Sequence, residues 1–331
     1  GETHRALQTK CRTASMETEH PIALGVPDNV ESIWSLGREY LALETIQINN
    51  AELWGDPVAR RELKARTMAV LGKLQDALNS AVSNAQWYVH GKQRAIDSHI
   101  GPSVLASILA DETYHSCPNI FSELVNRHSI SSNTQAALNA LVEGMTENPR
   151  LEALGFEGFP ADRGLYATIL KALSLHALTN DQKWAFVKPT QDKHPEELLA
   201  LWTAADEMLR ANGRVKLSDI LDLWSLPPFG LRKGVRGVLG FAYIITNQDV
   251  LAAYKEDVYQ HELDREFAHE VLRDPACISL QLVVRDEVYV DLINALAKTV
   301  KQITVIRCAS ELLAIGRDMV KIAYDLPNWT R

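Results

Sequence analysis

A mainly helical fold with one small mixed α/β block is what this sequence predicts, and three observations predict it. Apolar residues recur at helical spacing through most of 28–178. The stretch 214–260, RVKLSDILDLWSLPPFGLRKGVRGVLGFAYIITNQDVLAAYKEDVYQ, reads as a short strand, a helix, a Pro-Pro-Phe-Gly turn, a second helix and a two-stranded hairpin. From Asp286 to about Tyr324 helical spacing returns. The order over 214–260 is that of a winged helix. The predicted organisation is a loose arm over 1–27, a helical domain over 28–180, a linker over 181–195, a winged-helix domain over 196–285 and a C-terminal helix over 286–331.

Composition bounds what such a protein can do. The chain has 331 residues, 46% hydrophobic and 23% charged, ordinary values for a folded protein with two or three cores. Its net charge of −8 excludes a surface that is basic throughout, so any nucleic-acid contact needs a local cluster of Lys and Arg. Cys11, Cys117, Cys277 and Cys308 are far apart and form no CxxC pair, which fits a reducing cytoplasm and excludes a zinc ribbon. No apolar run approaches the ~18 residues of a membrane span. The opening GETHRALQTKCRTASMETEHP is polar, of mixed charge and unlike a signal peptide. Starting on Gly and stopping at LPNWTR, the chain reads as a piece of a longer protein, with processing of an intact one as the alternative.

In order, residues 1–27 lack periodicity and read as an arm. Asp28 is the N-cap expected for a helix carrying Val30, Ile33, Trp34, Leu36, Tyr40, Leu41 and Leu43. Asp56-Pro57 starts a longer one running to about Trp87, with Leu63, Met68, Val70, Leu71, Leu74, Leu78 and Val82 on its apolar side and Gly72 as a weak point. Pro102 leads a helix to about His115, and Cys117-Pro118-Asn119 turns the chain. Ser131 or Ser132 caps the next helix, which Pro149 ends, and Leu165–Leu178 is expected to be helical and buried. Trp184 and Phe186 mark the 181–195 linker as packed on a neighbour. Glu196–Asn212 is amphipathic and ends at Gly213, and Ser218 caps the first helix of the pair. Leu231–Ile245 is the second, and Lys255-Glu256-Asp257 turns the hairpin.

In a winged helix that binds DNA, the start of the second helix of the pair meets bases or phosphates. Here it carries Arg232, Lys233 and Arg236, with Arg214 and Lys216 flanking. Against Asp219 and Asp222 these five cations leave a local surplus of three. Two features oppose the reading. The wing Lys255-Glu256-Asp257 is net acidic, and Gly234, Gly237 and Gly240 line one side of the helix as close packing would require.

Catalytic signatures are not found. His261 and His269 are eight apart, not the four of a metalloprotease helix, so His261-Glu262 to Glu270 reads as a solvated acidic face. Tyr114-His115 with Cys117 has the residue types of a nucleophile pair but no shared local motif. GLRKGVRGVLG lacks the Lys-Ser/Thr ending of a phosphate loop. No catalytic residue, metal or cofactor is therefore assigned.

Three stretches carry a family resemblance: IFSELVNRHSISSNTQAALNALVEGM, LGFEGFPADRGLYATIL and LPPFGLRKGVRGVLGFAYIITNQDVLAAYKEDVY. In that order, over about 100–331, they resemble the region after the P-loop module in large bacterial ATPases of phage-defence islands, related to BREX-type systems. Ser122 stands where that pattern has Asn, and Asn139 where it has Arg. The resemblance implies a non-catalytic module of a larger defence machine, its nucleotide site outside this chain. The expected function is contact with duplex DNA, or regulation, through Arg232, Lys233 and Arg236. The alternative is a scaffold whose helices dock another subunit or a second copy of the chain, without a membrane.

Overall fold

The structure is a computed structural model that describes residues 2–16, 20–50, 55–94, 101–126, 129–158, 160–283, 316 and 319–321. It is mainly helical with three small antiparallel sheets among the described residues. The chain divides into two compact units, 1–113 and 114–331, whereas composition alone put the boundary at 181–195.

The first unit opens on helix α1 (Glu2–Ala14), then strand β1 (Ala23–Val26), where the sequence suggests a loose arm. The reason is tertiary. β1 pairs antiparallel with β2 (Gln86–Val89), and β2 turns into β3 (Lys92–Arg94) through His90 and Gly91. Both turn residues have positive φ, 48° and 71°, as a two-residue hairpin loop requires. Buried Ser15, just past α1, accepts the Gly91 N–H at 2.8 Å, so the arm is tied down by that turn.

Between β1 and β2 run α2 (Val30–Asn49) and α3 (Pro57–Ser83). Asp56 caps α3, accepting from the N–H groups of Val58 and Ala59, with Pro57 at the first helical position. At the start of α2, Asn29 rather than Asp28 is the cap residue, and its Nδ2 donates to the Ala77 carbonyl. That bond and the Arg66–Glu39 ion pair, at 3.0 Å, set the start of α2 beside the end of α3. The two helices are antiparallel. Helix α4 (Pro102–Thr113) completes this unit.

The second unit holds one large core. Ser131 caps α5 (Ser132–Glu147) by accepting the Thr134 N–H at 3.2 Å. Ala153, Leu154 and Gly155 then have positive φ in succession. Leu154 takes that backbone at a cost of ~1 kcal/mol and is held by full burial against Gly144. Helix α6 (Ala161–Leu165) continues as a wider turn to Lys171. Where one helix was expected to reach Leu178, the chain instead enters β4 (His176–Leu178), paired with β5 (Trp184–Phe186). The 181–195 stretch is thus half of a packed hairpin. Trp184 and Phe186 lie against the ring of buried His176, at 5.4 and 4.8 Å between centroids.

Helix α7 (Glu196–Asn212) ends at Gly213, whose φ is 72°. There follow β6 (Arg214–Lys216), α8 (Leu217–Leu223), a turn containing the cis Pro227–Pro228 bond, α9 (Lys233–Thr246), and the hairpin β7 (Leu251–Lys255) and β8 (Val258–Tyr259). The local order expected over 214–260 is present. The sheet differs from a simple strand-plus-hairpin: after α10 (Arg265–Arg273), β9 (Ile278–Leu282) inserts between β6 and β7, giving the order β6-β9-β7-β8. The C-terminal helix expected over 286–331 lies, but for 316 and 319–321, outside the described residues.

Candidate functional site

Helix α9 is the element the sequence singled out, and its surroundings decide what it can do. Ten of its residues are buried, from Gly234 and Val235 through the run Gly237–Ile244. The three glycines make this possible. A Cβ on Gly234 would lie 3.1 Å from Val125, one on Gly237 2.5 Å from Leu272, and one on Gly240 2.8 Å from Leu221. Residues from three different segments therefore approach the α9 backbone along its glycine-lined side. At its C-terminal half, Tyr243 meets Trp202 and Trp224 edge-on and donates its hydroxyl to Asp206 at 2.6 Å. A helix that reads the major groove needs an exposed face over successive turns. Beyond Arg236, α9 has none until its last turn.

The five predicted cations fall into two groups. Arg232 and Lys233 are exposed at the start of α9 and border a cavity of about 520 Å³ with Ser129 and Gln135. Lys216 is exposed on β6, an edge strand. Arg236 and Arg214 are engaged within the fold. The Arg236 side chain is only 18% exposed, and its Nη1 donates to the Leu221 carbonyl at 2.7 Å and to Asp222 at 3.1 Å. The Arg214 guanidinium sits 3.9 Å from the Tyr254 ring centroid, pairs with Asp257 at 2.9 Å and donates to Ser279. Asp257 belongs to the acidic turn between β7 and β8, so that turn and its neighbouring cation neutralise each other. Two of the five cations counted in sequence are thus engaged by partners within the fold, while Arg232, Lys233 and Lys216 stay exposed.

The histidine-rich stretch is structural. His269 meets Glu143 at 2.6 Å and Arg265 pairs with the same carboxylate at 2.9 Å, fastening α10 to α5. Glu270, Asp274 and Cys277 bring possible ligand atoms within 4.8 Å of one another. Glu270 is already committed. Burial pushes its carboxyl up, and Arg273 at 2.6 Å with Lys255 at 3.4 Å more than reverses that, holding it ionised as their partner. Burial raises the Cys277 thiol, so it stays protonated. Cys117 is likewise raised, first by burial and then by Glu197, the opposite of an activated nucleophile.

Two features of the structure were not read from sequence. One is a cavity of about 560 Å³ bordered by Trp184, Phe186, Arg150, Lys183 and His261. Its aromatic wall is fixed by His176, which meets the Pro149 carbonyl and the Tyr166 hydroxyl through its two ring nitrogens. The other is the α2–α3 hairpin, whose large apolar residues Trp34, Leu41, Ile48 and Met68 are each at least 60% exposed. Trp34, Leu41 and Met68 are members of the apolar patterns read in sequence, whereas Ile48 and the seven-residue repeat on α2 were not singled out. Compared with protein-family models, with curated proteins and with solved structures, the chain matches none of them.

Proposed function

We propose that this chain is a non-catalytic protein-interaction scaffold, with its winged-helix-like block used for docking and support rather than for reading DNA. The observation that carries this reading is the burial of α9 on every side between Gly237 and Ile244. The engagement of Arg214 by Asp257 and of Arg236 by Asp222 supports it, because a phosphate would have to displace partners already in place. The exposed large side chains of the α2–α3 hairpin supply a surface of the kind that takes a protein partner. In the setting that the sequence resemblance implies, such a scaffold serves a larger bacterial defence ATPase.

A second reading is favoured by one observation. Arg232 and Lys233 are exposed at the N-terminal end of α9, where the helix dipole adds to their attraction for phosphate. Fluorescence anisotropy with duplex DNA at low salt separates the two. The expected result is weak binding that is unchanged in the double variant Arg232→Glu, Lys233→Glu. Binding strongly weakened by that reversal, with a smaller salt slope, overturns docking in favour of DNA contact.

A further inference from the structure

We infer that the partner docked by the α2–α3 hairpin is a second copy of this chain, with α2 of one copy lying against α3 of the other. The inference rests on the docking reading and names its occupant. It starts from the fact that each helix carries two apolar stripes. On α3, Leu63, Thr67, Val70, Leu74, Ala77 and Ala81 alternate in steps of four and three and are all at least half-buried toward α2. One residue further on runs a second stripe in the same steps: Met68, Leu71, Gln75, Leu78 and Val82. Met68, Leu78 and Val82 are 60%, 47% and 50% exposed. On α2, Ile33, Leu36, Tyr40 and Leu43 face inward, and Trp34, Leu41 and Ile48 repeat every seven residues at 64%, 63% and 71% exposure.

The second stripe lies one residue, or ~100° of helix rotation, past the first on both helices. Seen from one end, antiparallel helices wind in opposite senses with increasing residue number. The two outer stripes therefore swing to the same side of the hairpin and form one mainly apolar face, interrupted by Gln75 on α3 and by Arg38, whose guanidinium lies over the Trp34 ring on α2. Alternating steps of three and four are the seam of a helical coiled coil, so the complement to this face is helices and not an extended peptide.

Charge selects which helices. Glu39 and Arg66 are already paired with each other inside the hairpin. Beyond that pair, Glu31 and Glu44 outnumber Arg38 on α2, and Arg60, Arg61, Lys64 and Lys73 outnumber Glu62 and Asp76 on α3. A two-fold axis parallel to the helices sets acidic α2 of each copy on basic α3 of the other, antiparallel, and closes a four-helix bundle. The other two-fold, perpendicular to the helices, sets α2 on α2 and α3 on α3, like charge on like. Two helices ~30 Å long side by side outline roughly 600 Å², against ~800 Å² per partner in a standard interface, so a dimer of micromolar affinity is expected.

The test is light scattering on the full chain across a concentration series, on the wild type and on Leu41→Arg, Leu78→Arg and Val58→Arg. The mass is expected to rise to that of a dimer in the wild type and in Val58→Arg, which changes a residue 73% exposed and off the stripe. Leu41→Arg and Leu78→Arg are each expected to weaken association by at least tenfold with an unchanged melting temperature. Having both variants keeps the test standing if one misfolds. Raising salt is expected to weaken the dimer several-fold, and a dimer tightened by salt overturns the α2-on-α3 arrangement. A wild type that stays monomeric, or a dimer that both stripe variants retain, overturns the inference. Neither outcome touches the DNA measurement, which judges the docking reading separately.

Discussion

Helices α3 and α9 are both apolar, both contain glycine, and were read from sequence in the same way, yet they lead opposite lives. α3 has 27 residues and buries Thr67, Val70 and Ala81, whereas α9 has 14 residues and buries ten. The glycines show the difference most sharply. A Cβ on Gly72 in α3 would meet nothing within 4 Å, while one on Gly237 would run into Leu272. In α3 glycine is a local weakness with no tertiary use. In α9 it is the condition for packing. An apolar pattern therefore says that a surface must be covered, and not whether the same chain covers it.

The sharpest way to break this contrast is to truncate one large side chain on each helix. Phe241→Ala, in α9, removes a fully buried ring next to Phe267 and is expected to cost about 3–5 kcal/mol in urea unfolding. Met68→Ala, on the exposed side of α3, is expected to change the stability of the monomer by less than about 0.5 kcal/mol. Equal losses would mean that the α3 stripe is buried within one chain.

The glycines offer a test in which the sign reverses. Gly237→Ala is expected to destabilise by about 1–3 kcal/mol, since Leu272 has to move for the added methyl. Gly72→Ala is expected to stabilise by up to about 1 kcal/mol through helix propensity alone. Thermal melts of the two variants decide it, and a shared sign would remove the distinction.

The smallest expected effect is a pH slope confined to the second unit. Burial pulls His176 below the ordinary histidine range, and its bond to the Pro149 carbonyl opposes this only in part. The folded state then binds fewer protons than the unfolded one, so stability rises with pH. It is complete above the unfolded value of about 6.5 and declines as pH falls below it. His176→Gln is expected to flatten unfolding free energy between about pH 6.5 and 5, as read from urea titrations at each pH. The hairpin unit has no buried histidine among its described residues and supplies the comparison.

Much of the local structure was legible in the sequence because its causes are local. Asp56-Pro57 announced the start of α3, Ser131 the start of α5 and Gly213 the end of α7, and each does what its chemistry requires. The close packing announced by Gly234, Gly237 and Gly240 is present as well. What was not legible depended on distant partners. Residues 2–14 and 23–26 hold their structure because β2 and the His90-Gly91 turn, more than sixty residues on, lie beside them. Within the 181–195 stretch the packing of Trp184 and Phe186 on a neighbour was legible, but not that the neighbour is the His176 ring of a paired strand.

The candidate site divides along the same line. The sequence by itself determined which residues are cationic, that two helices follow one another there, and that the Lys255-Glu256-Asp257 turn is acidic, all of which follow from side-chain chemistry and helical periodicity. It put the cap of the first helix at Ser218 and the start of the second at Leu231, whereas α8 starts at Leu217 after Lys216 with no side-chain cap and α9 starts at Lys233. Only the tertiary structure decided that Arg236 turns inward to Leu221 and Asp222, that Arg214 is held by Asp257 and Tyr254, and that α9 has no free face between Gly237 and Ile244. The physical reason is that a charge is available to a ligand only when no partner in the fold already compensates it. That partner is chosen by packing between elements far apart in the chain.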